Sequence, residues 1–447
     1  MSQVKEMELK AGQAQSSSQM EQPPVVEKKM LIPFVLITLL FALWGFANDI
    51  TNPMVSAFKT VMEISNFEAS LVQFAFYGGY FAMAIPVALF IKKYSYKSGV
   101  LIGLGLYASG AFLFIPAAHF GTFGLFLISY FILTCGLSFL ETTGNPFILS
   151  LGATETSTQR LNLAQAFNPI GSLTGMFVAS QVILSNLQSA EQAADGSLIY
   201  STLDAARKAE IKANDLEVIR NPYIAIGLVV LVVLIVIAVY KFPKENKASN
   251  GSSFGDTVKR LLAIARYKEG VIAQIFYVGA QIMCWTFIVQ YAENLGYSKA
   301  EGQQINMIAM AIFLVSRFVS TYLMRFISAA RLMMFFAMGG MVTMSITIFV
   351  GGDIGLYAIV ATSAFMSLMF PTIYGIALEK VGADRELGAA GLVMAILGGS
   401  IMPPIQGALI DMEVIAGMPA VNVSFILPFI CFIAISIYSY RTSKQLI

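Results

Sequence analysis

The chain has 447 residues, 57% of them hydrophobic and 12% charged, with a mean hydropathy of +0.72 and a formal net charge of +2. A water-soluble protein of this size cannot hide that much apolar surface, so the composition excludes a soluble enzyme and specifies an all-α membrane protein with many crossings. Cys135, Cys284 and Cys431 fall singly in apolar segments and His119 is the one histidine, so no disulfide framework, metal site, cofactor or nucleic-acid partner is expected.

Residues 1–29 are polar and rich in Ser, Gln, Glu and Lys, and read as a disordered tail. Twelve apolar segments follow, at 31–60, 68–91, 98–117, 123–149, 160–187, 221–241, 270–291, 303–324, 332–350, 355–377, 388–411 and 421–440. With the N-terminus inside, most of the 28 Lys and Arg lie on that side, so both termini are expected in the cytoplasm. The basic stretch from Lys241 to Lys268, with its breaker run ASNGSSFG, predicts a cytoplasmic linker. Within it, Phe254 to Arg266 has the pattern of an amphipathic surface helix. The division expected is therefore a tail at 1–29, a six-helix bundle at 30–243, a linker at 244–268 and a second six-helix bundle at 269–447 with a short tail. The outer loop 188–221 predicts a short exposed helix at LDAARKAEIKANDLE, with no chemistry. A weak internal echo supports two halves: Ser65 to Lys97 aligns without gaps on Ser298 to Ala330, and Pro146 matches Pro371.

Polar residues inside apolar segments carry the functional signal. In LETTGNPF, Glu141 interrupts the fourth segment, and Thr134, Ser138, Glu141 and Asn145 share one helical stripe. A carboxylate at that depth costs at least about 2.5 kcal/mol, so it faces a protein interior or a wet cavity. Gly144 and Pro146 let the helix bend beside it. In WGFANDITNP of segment 1, Trp44, Asn48 and Asn52 repeat every four residues, with Asp49 on their flank. Two carboxylates with several amides suit a sugar, because they accept from and donate to hydroxyls while Trp44 offers an apolar face.

Segment 2 adds Gln73 and Tyr77, and segment 5 adds Asn162, Gln165 and Asn168 ahead of Pro169. Segment 7 carries the stripe Gln274, Tyr277, Gln281 and Trp285. A structural reading stands beside each: a satisfied buried acid for Glu141, a cap before Pro53 for Asp49, interhelical glue for the amides, ordinary core for the aromatic stripe. Arg317 fits either a snorkelling cation or a coupling residue. Asp353, Glu379 and Asp411 are expected in solvent. No phosphate-cradling glycine loop, nucleophile elbow or metal-ligand set is present in the sequence, which argues against an enzyme or a nucleotide-driven pump.

The runs LFALWGFAND, FYGGYF, FIKKYSYKSG, LETTGNPF, RLNLAQAFN, YVGAQIMCW, SRFVSTYLMRF and SAFMSLMFPTIYGIALEKVG resemble the L-fucose–proton symporter family of the major facilitator superfamily. The resemblance covers Ile32 to Tyr440. It implies twelve helices in two bundles of six, alternating access, and import of L-fucose or a related sugar with a proton across a bacterial inner membrane. The family's helix-4 acid matches Glu141, whereas its helix-1 acid lines up with Asn52, and Asp49 stands where it has an amide. Phe370 occupies a position where the resemblance implies Tyr. Glu141 and Asp49 are accordingly expected to couple the proton. Trp44, Asn48, Asn52, Gln73, Tyr77, Asn145, Asn162, Gln165, Gln281 and Trp285 are expected to contact the sugar. The partners expected are a sugar, protons and the lipid bilayer, with the chain working as a monomer. Other readings stand: a glucose, galactose or amino-sugar carrier of the same fold, a non-transporting sugar receptor, or an intramembrane enzyme using the two acids.

Overall fold

The computed structural model describes residues 23–51, 53–64, 66–191, 199–242, 254–297, 299–410 and 412–444. Asn52, Asp411, most of the N-terminal tail and the first part of the linker lie outside the described residues, as does the side chain of Gln73.

Among the described residues, twelve helices are long and apolar enough to cross a membrane. They are α1 (Lys28–Thr51), α2 (Phe74–Lys93), α3 (Tyr96–Phe120), α4 (Phe123–Ser150), α5 (Ser157–Asn186) and α6 (Ala205–Val239), then α7 (Ala265–Asn294), α8 (Glu301–Leu323), α9 (Ala329–Phe349), α10 (Gly352–Leu378), α11 (Gly382–Ile410) and α12 (Ala420–Lys444). Helices are the form available because hydrocarbon offers nothing to an unpaired backbone N–H or C=O. They are apolar all round, one side meeting lipid and the other a neighbouring helix. On α6, for instance, Leu228, Val232, Ile235 and Val239 are exposed while Val230 and Ile237 are buried. An even number of crossings brings both ends of the chain to one face, called here the terminal face.

Helices α1–α6 pack among themselves, chiefly α1 on α5, α2 on α4, and α3 on α4 and α6. Helices α7–α12 do the same, with α7 against α8, α10, α11 and α12, and α9 against α10 and α12. Small residues set the closest approaches. A Cβ on Gly171 or Gly175 of α5 would collide with the backbone of Ala42 or Phe46 in α1, and one on Gly45 with the backbone of Asn168. Gly171→Val is therefore expected to cost more than the usual overpacking penalty of about 1–3 kcal/mol, because backbone cannot step aside as a side chain can. A thermal melt of the purified protein in detergent checks this, and an unchanged melting temperature would mean that the two helices part without penalty.

Prolines decide where helices deviate from the continuous segments predicted. The first helix stops at Thr51 and a further helix, Met54–Val61, starts after Pro53. Helix α5 is built from Ser157–Gln165 and Asn168–Phe177, with Pro169 opening the second piece, followed by a π turn at Val178–Ile183. Helix α10 is interrupted after Met366 and resumes at Met369, two residues before Pro371. Pro146 lies inside α4 with the helix unbroken across Phe123–Ser150.

The outer loop departs from expectation. The run after Asp204 is the first part of α6 itself, which spans 35 residues from Ala205. Asp204 caps it by accepting from the Arg207 N–H at 2.9 Å, and the sequence up to Asn221 offers no breaker. Asp215 within that stretch is fully buried and accepts the Gln188 and Ser189 N–H groups at 2.9 Å each, which holds the preceding loop down. On the terminal face, the amphipathic stretch of the linker forms a helix at Phe254–Ala263, and Ala265 then starts α7.

Candidate functional site

Glu141 lies on α4 nine residues from its terminal-face end, about 13 Å along the axis. It is 2% exposed, and neither carboxylate oxygen has a hydrogen-bond partner among the described residues. A buried charge left in that condition costs several kcal/mol, and taking up a proton removes the charge. The phenols of Tyr80 on α2 and Tyr374 on α10 lie within electrostatic reach of it, and both hydroxyls are buried with no hydrogen bond of ordinary length among the described residues. Tyr374 also faces Asn145, and Tyr80 faces Trp44. The acid thus sits between the two sets of six helices among donors with unused capacity.

The amides beside it form a chain. Asn145 Nδ2 donates to the Glu141 carbonyl at 3.1 Å, and Gln165 Nε2 donates to Asn145 Oδ1 at 2.6 Å. Asn162 Nδ2 donates to the Thr158 carbonyl at 3.0 Å and crosses to the Thr372 hydroxyl of α10 at 3.1 Å, leaving its own Oδ1 buried and unpaired. Asn168, grouped with these by spacing, instead donates to the Phe41 carbonyl at 3.2 Å and ties α5 to α1.

Asp49 is a separate cluster nearer the opposite face, two residues from the end of α1. It is 8% exposed, faces Ser172 of α5 and the amide of Asn48, and lies in electrostatic reach of Tyr77. Trp44 and Asn48, one turn apart, are half-buried, as is Tyr77. Asn52 and the Gln73 side chain fall outside what is described. In the other half, Trp285 Nε1 donates to Ser363 Oγ at 3.1 Å and its ring meets Phe313 edge-on. Gln281 is half-buried one turn before it. Gln274 is fully buried, and neither amide atom has a hydrogen-bond partner among the described residues. The Phe370 ring lies 6.3 Å from Tyr277 and stacks with Tyr374 at 6.2 Å, so the phenol on this part of α10 belongs to Tyr374.

Arg317 resolves between its two readings. It is 3% exposed, so it does not snorkel. Its Nη1 donates to the Gln165 carbonyl of α5 at 2.9 Å, its Nε donates to the Ser367 carbonyl of α10, and its guanidinium lies over the Phe313 ring. Both carbonyls lie four residues before a proline, Pro169 and Pro371, which has no N–H to give them. The arginine fills two gaps that the prolines open, one in each half. Further cross-half hydrogen bonds among the described residues run from Gln159 to the Thr321 carbonyl at 2.9 Å and from Tyr96 to Glu386 at 3.2 Å. All lie toward the terminal face. Glu379 is exposed and pairs with the buried Arg266, and Asp353 is exposed and accepts from Tyr297, in line with expectation.

Spacing missed three contributors. Tyr80 and Tyr374 are legible only as further aromatics in apolar runs. Arg160, fully buried, donates to the Ile148, Leu149, Ala153 and Val25 carbonyls and so closes the end of α4.

The major facilitator superfamily model matches residues 37–403. The chain belongs to that superfamily. Its first relative, the L-fucose-proton symporter of Haemophilus influenzae, is 60% identical over 423 residues, 94% of this chain and 99% of that one, which places the chain in the fucose–proton symporter branch. A glucose/galactose transporter of Brucella abortus is 31% identical over 415 residues, 92% of this chain and 93% of that one. Among solved structures, the superfamily transporter FucP in its outward conformation matches with a TM-score of 0.85 at 34% identity, over 93% of this chain and 99% of that one. The superfamily's members are transporters, and the expected all-α fold with twelve membrane helices holds.

Proposed function

We propose that this chain imports L-fucose together with a proton by alternating access, and that Glu141 is the group that carries the proton. The observation that supports this most directly is the buried Glu141 carboxyl, unpartnered among the described residues at the meeting of the two halves, beside the buried phenols of Tyr80 and Tyr374. A sugar hydroxyl or a proton supplies what that carboxyl lacks. Asp49, held by Ser172, either shares the proton or accepts from sugar hydroxyls. Trp44, Asn48, Asn52, Gln73, Tyr77, Asn145, Asn162, Gln165, Gln281 and Trp285 contact the sugar in this reading. Residues 30–243 and 269–447 are the two bundles that rock. The terminal face is cytoplasmic, in a bacterial inner membrane, on the strength of its excess of Lys and Arg. The cross-half bonds then close the cytoplasmic side, and the site opens outward. The chain works as a monomer, and no chemistry is done on the sugar.

A second reading keeps the fold and changes the sugar. Phe370 places a ring where the resemblance implies a phenol, and the Brucella relative carries a glucose/galactose name. Sugar-evoked proton uptake into proteoliposomes separates the two. L-Fucose is expected to alkalinise the medium, with D-glucose, D-galactose and N-acetylglucosamine at least about tenfold weaker, the discrimination that one unmatched polar group gives. Alkalinisation by glucose or galactose with none by L-fucose selects the second reading. No proton movement with any sugar defeats both.

A further inference from the structure

Away from the transport cavity, a groove opens at the terminal-face end of the molecule. It is lined by Ile85 of α2, by Leu387, Ala390 and Met394 of α11, and by Phe254 and Leu262 of the linker helix. Its volume is about 450 Å³ including the open mouth, and its walls are apolar. The groove is built rather than incidental. Arg260 of the linker helix donates from Nε and Nη2 to the two Asp384 oxygens at 2.8 Å each, and Leu261 beside it is buried. Underneath, the Tyr267 hydroxyl donates to the Gly388 carbonyl at 3.0 Å, fixing α7 to α11.

The mouth is flanked by exposed apolar side chains of membrane-spanning helices. Phe81 and Leu89 on α2 and Leu397 and Ile401 on α11 are exposed to either side of the lining residues. Leu262 itself is 53% exposed. Basic side chains stand on the terminal-face side of the groove. Lys92 and Lys93 follow Ile85 and Leu89 along the same flank of α2, about 11 Å closer to the terminal face. On the linker helix, Lys259 shares its flank with Leu262 three residues on. Lys93 and Lys259 are exposed, and neither forms an ion pair among the described residues. Lys93 Nζ lies over the Tyr94 ring at 5.4 Å, which leaves its charge open to an anion, and an apolar slot below two exposed cations matches an acyl chain below a phosphate.

We propose that this groove binds an anionic phospholipid of the terminal-face leaflet, its acyl chain between α2, α11 and the linker helix and its phosphate on Lys93 and Lys259. The groove is distinct from the sugar and proton site. The full-length protein carrying Leu262→Trp is reconstituted in phosphatidylcholine with rising fractions of dibrominated phosphatidylglycerol or dibrominated phosphatidylcholine. Bromine in the tails quenches the added indole, read against the protein that has Trp44 and Trp285 only. Half-quenching by the anionic lipid is expected at roughly thirtyfold lower mole fraction, the preference two surface lysines give. Adding Lys93→Gln and Lys259→Gln is expected to bring the two curves together. Superimposed curves with both lysines present, a preference that survives their loss, or no quenching by either lipid overturns the proposal. Phe254→Trp on the same lining serves as reporter if Leu262→Trp does not insert.

Discussion

Glu141→Gln is expected to abolish sugar-evoked proton uptake while leaving labelled-sugar counterflow largely intact. Glutamine keeps the shape of the side chain and removes only its capacity to exchange a proton. Neither Glu141 oxygen has a hydrogen bond to lose among the described residues, so the substitution breaks no network. The energetic consequence falls on accumulation. One proton crossing about 100 mV contributes about 2.3 kcal/mol, and a pH unit adds about 1.4, together enough for roughly a few-hundredfold accumulation. The variant is expected to equilibrate sugar to a ratio of about one, because exchange down a gradient draws on neither term. Asp49→Asn is the control. Its carboxylate has Ser172 and Asn48 beside it, so it is expected to weaken sugar binding more than coupling. If proton uptake survives in Glu141→Gln and is lost in Asp49→Asn, the coupling group lies on α1 and the assignment to α4 is wrong.

Arg317→Leu is expected to open the terminal face. In the closed arrangement the guanidinium satisfies the Gln165 and Ser367 carbonyls, which no helix N–H replaces because the residues four on are Pro169 and Pro371. Removing it leaves both carbonyls buried and unpaired at about 1–3 kcal/mol each. Opening the halves exposes the same carbonyls to water, so the penalty applies to one arrangement only. A differential of about 3 kcal/mol changes the ratio of closed to open by roughly a hundredfold. Spin labels on Glu155→Cys and Lys380→Cys, exposed positions at the terminal-face ends of α5 and α10, read this as a distance, and Cys135, Cys284 and Cys431 are buried. The longer distance is expected to become the major one in Arg317→Leu. Arg317→Lys keeps the charge but lacks the planar fork that spans both carbonyls, so it is expected to fall between. An unchanged distance distribution in Arg317→Leu would mean the clasp contributes nothing to closure.

Much of the architecture is written in the sequence because a membrane makes the reading simple. Each crossing must be a long apolar helix, and an acid within one stands out, as Glu141 and Asp49 do. What spacing does not give is the partner. The stripe Asn162, Gln165 and Asn168 looks like one set, but Asn162 crosses to Thr372, Gln165 bonds Asn145, and Asn168 bonds the backbone of α1. Those choices depend on which helix comes alongside, and that is a tertiary fact. The loop before α6 escaped for a different reason. Its polar composition signals exposure, while helix continuity depends on caps and breakers, and after Asp204 there is no stop. The partners of Arg317 escape spacing rules because they depend on two prolines, Pro169 and Pro371, that free carbonyls on different helices for one buried guanidinium.

The contact between α1 and α5 sets where this pocket can be redesigned. At Gly45, Gly171 and Gly175 even a methyl group meets backbone, so these positions have no substitution that leaves the helices in place. The α1 residues proposed to contact the sugar inherit that rigidity, since Trp44 and Asn48 ride on a helix that cannot shift to accommodate a larger neighbour. On α7 the matching backbone approach lies at Ile275, where a Cβ on Gly398 of α11 would collide, and Gln281 and Trp285 stand half-buried six and ten residues beyond it. A library aimed at a new sugar should therefore vary Gln281 and Trp285, away from that approach, and leave the α1 wall as its fixed reference.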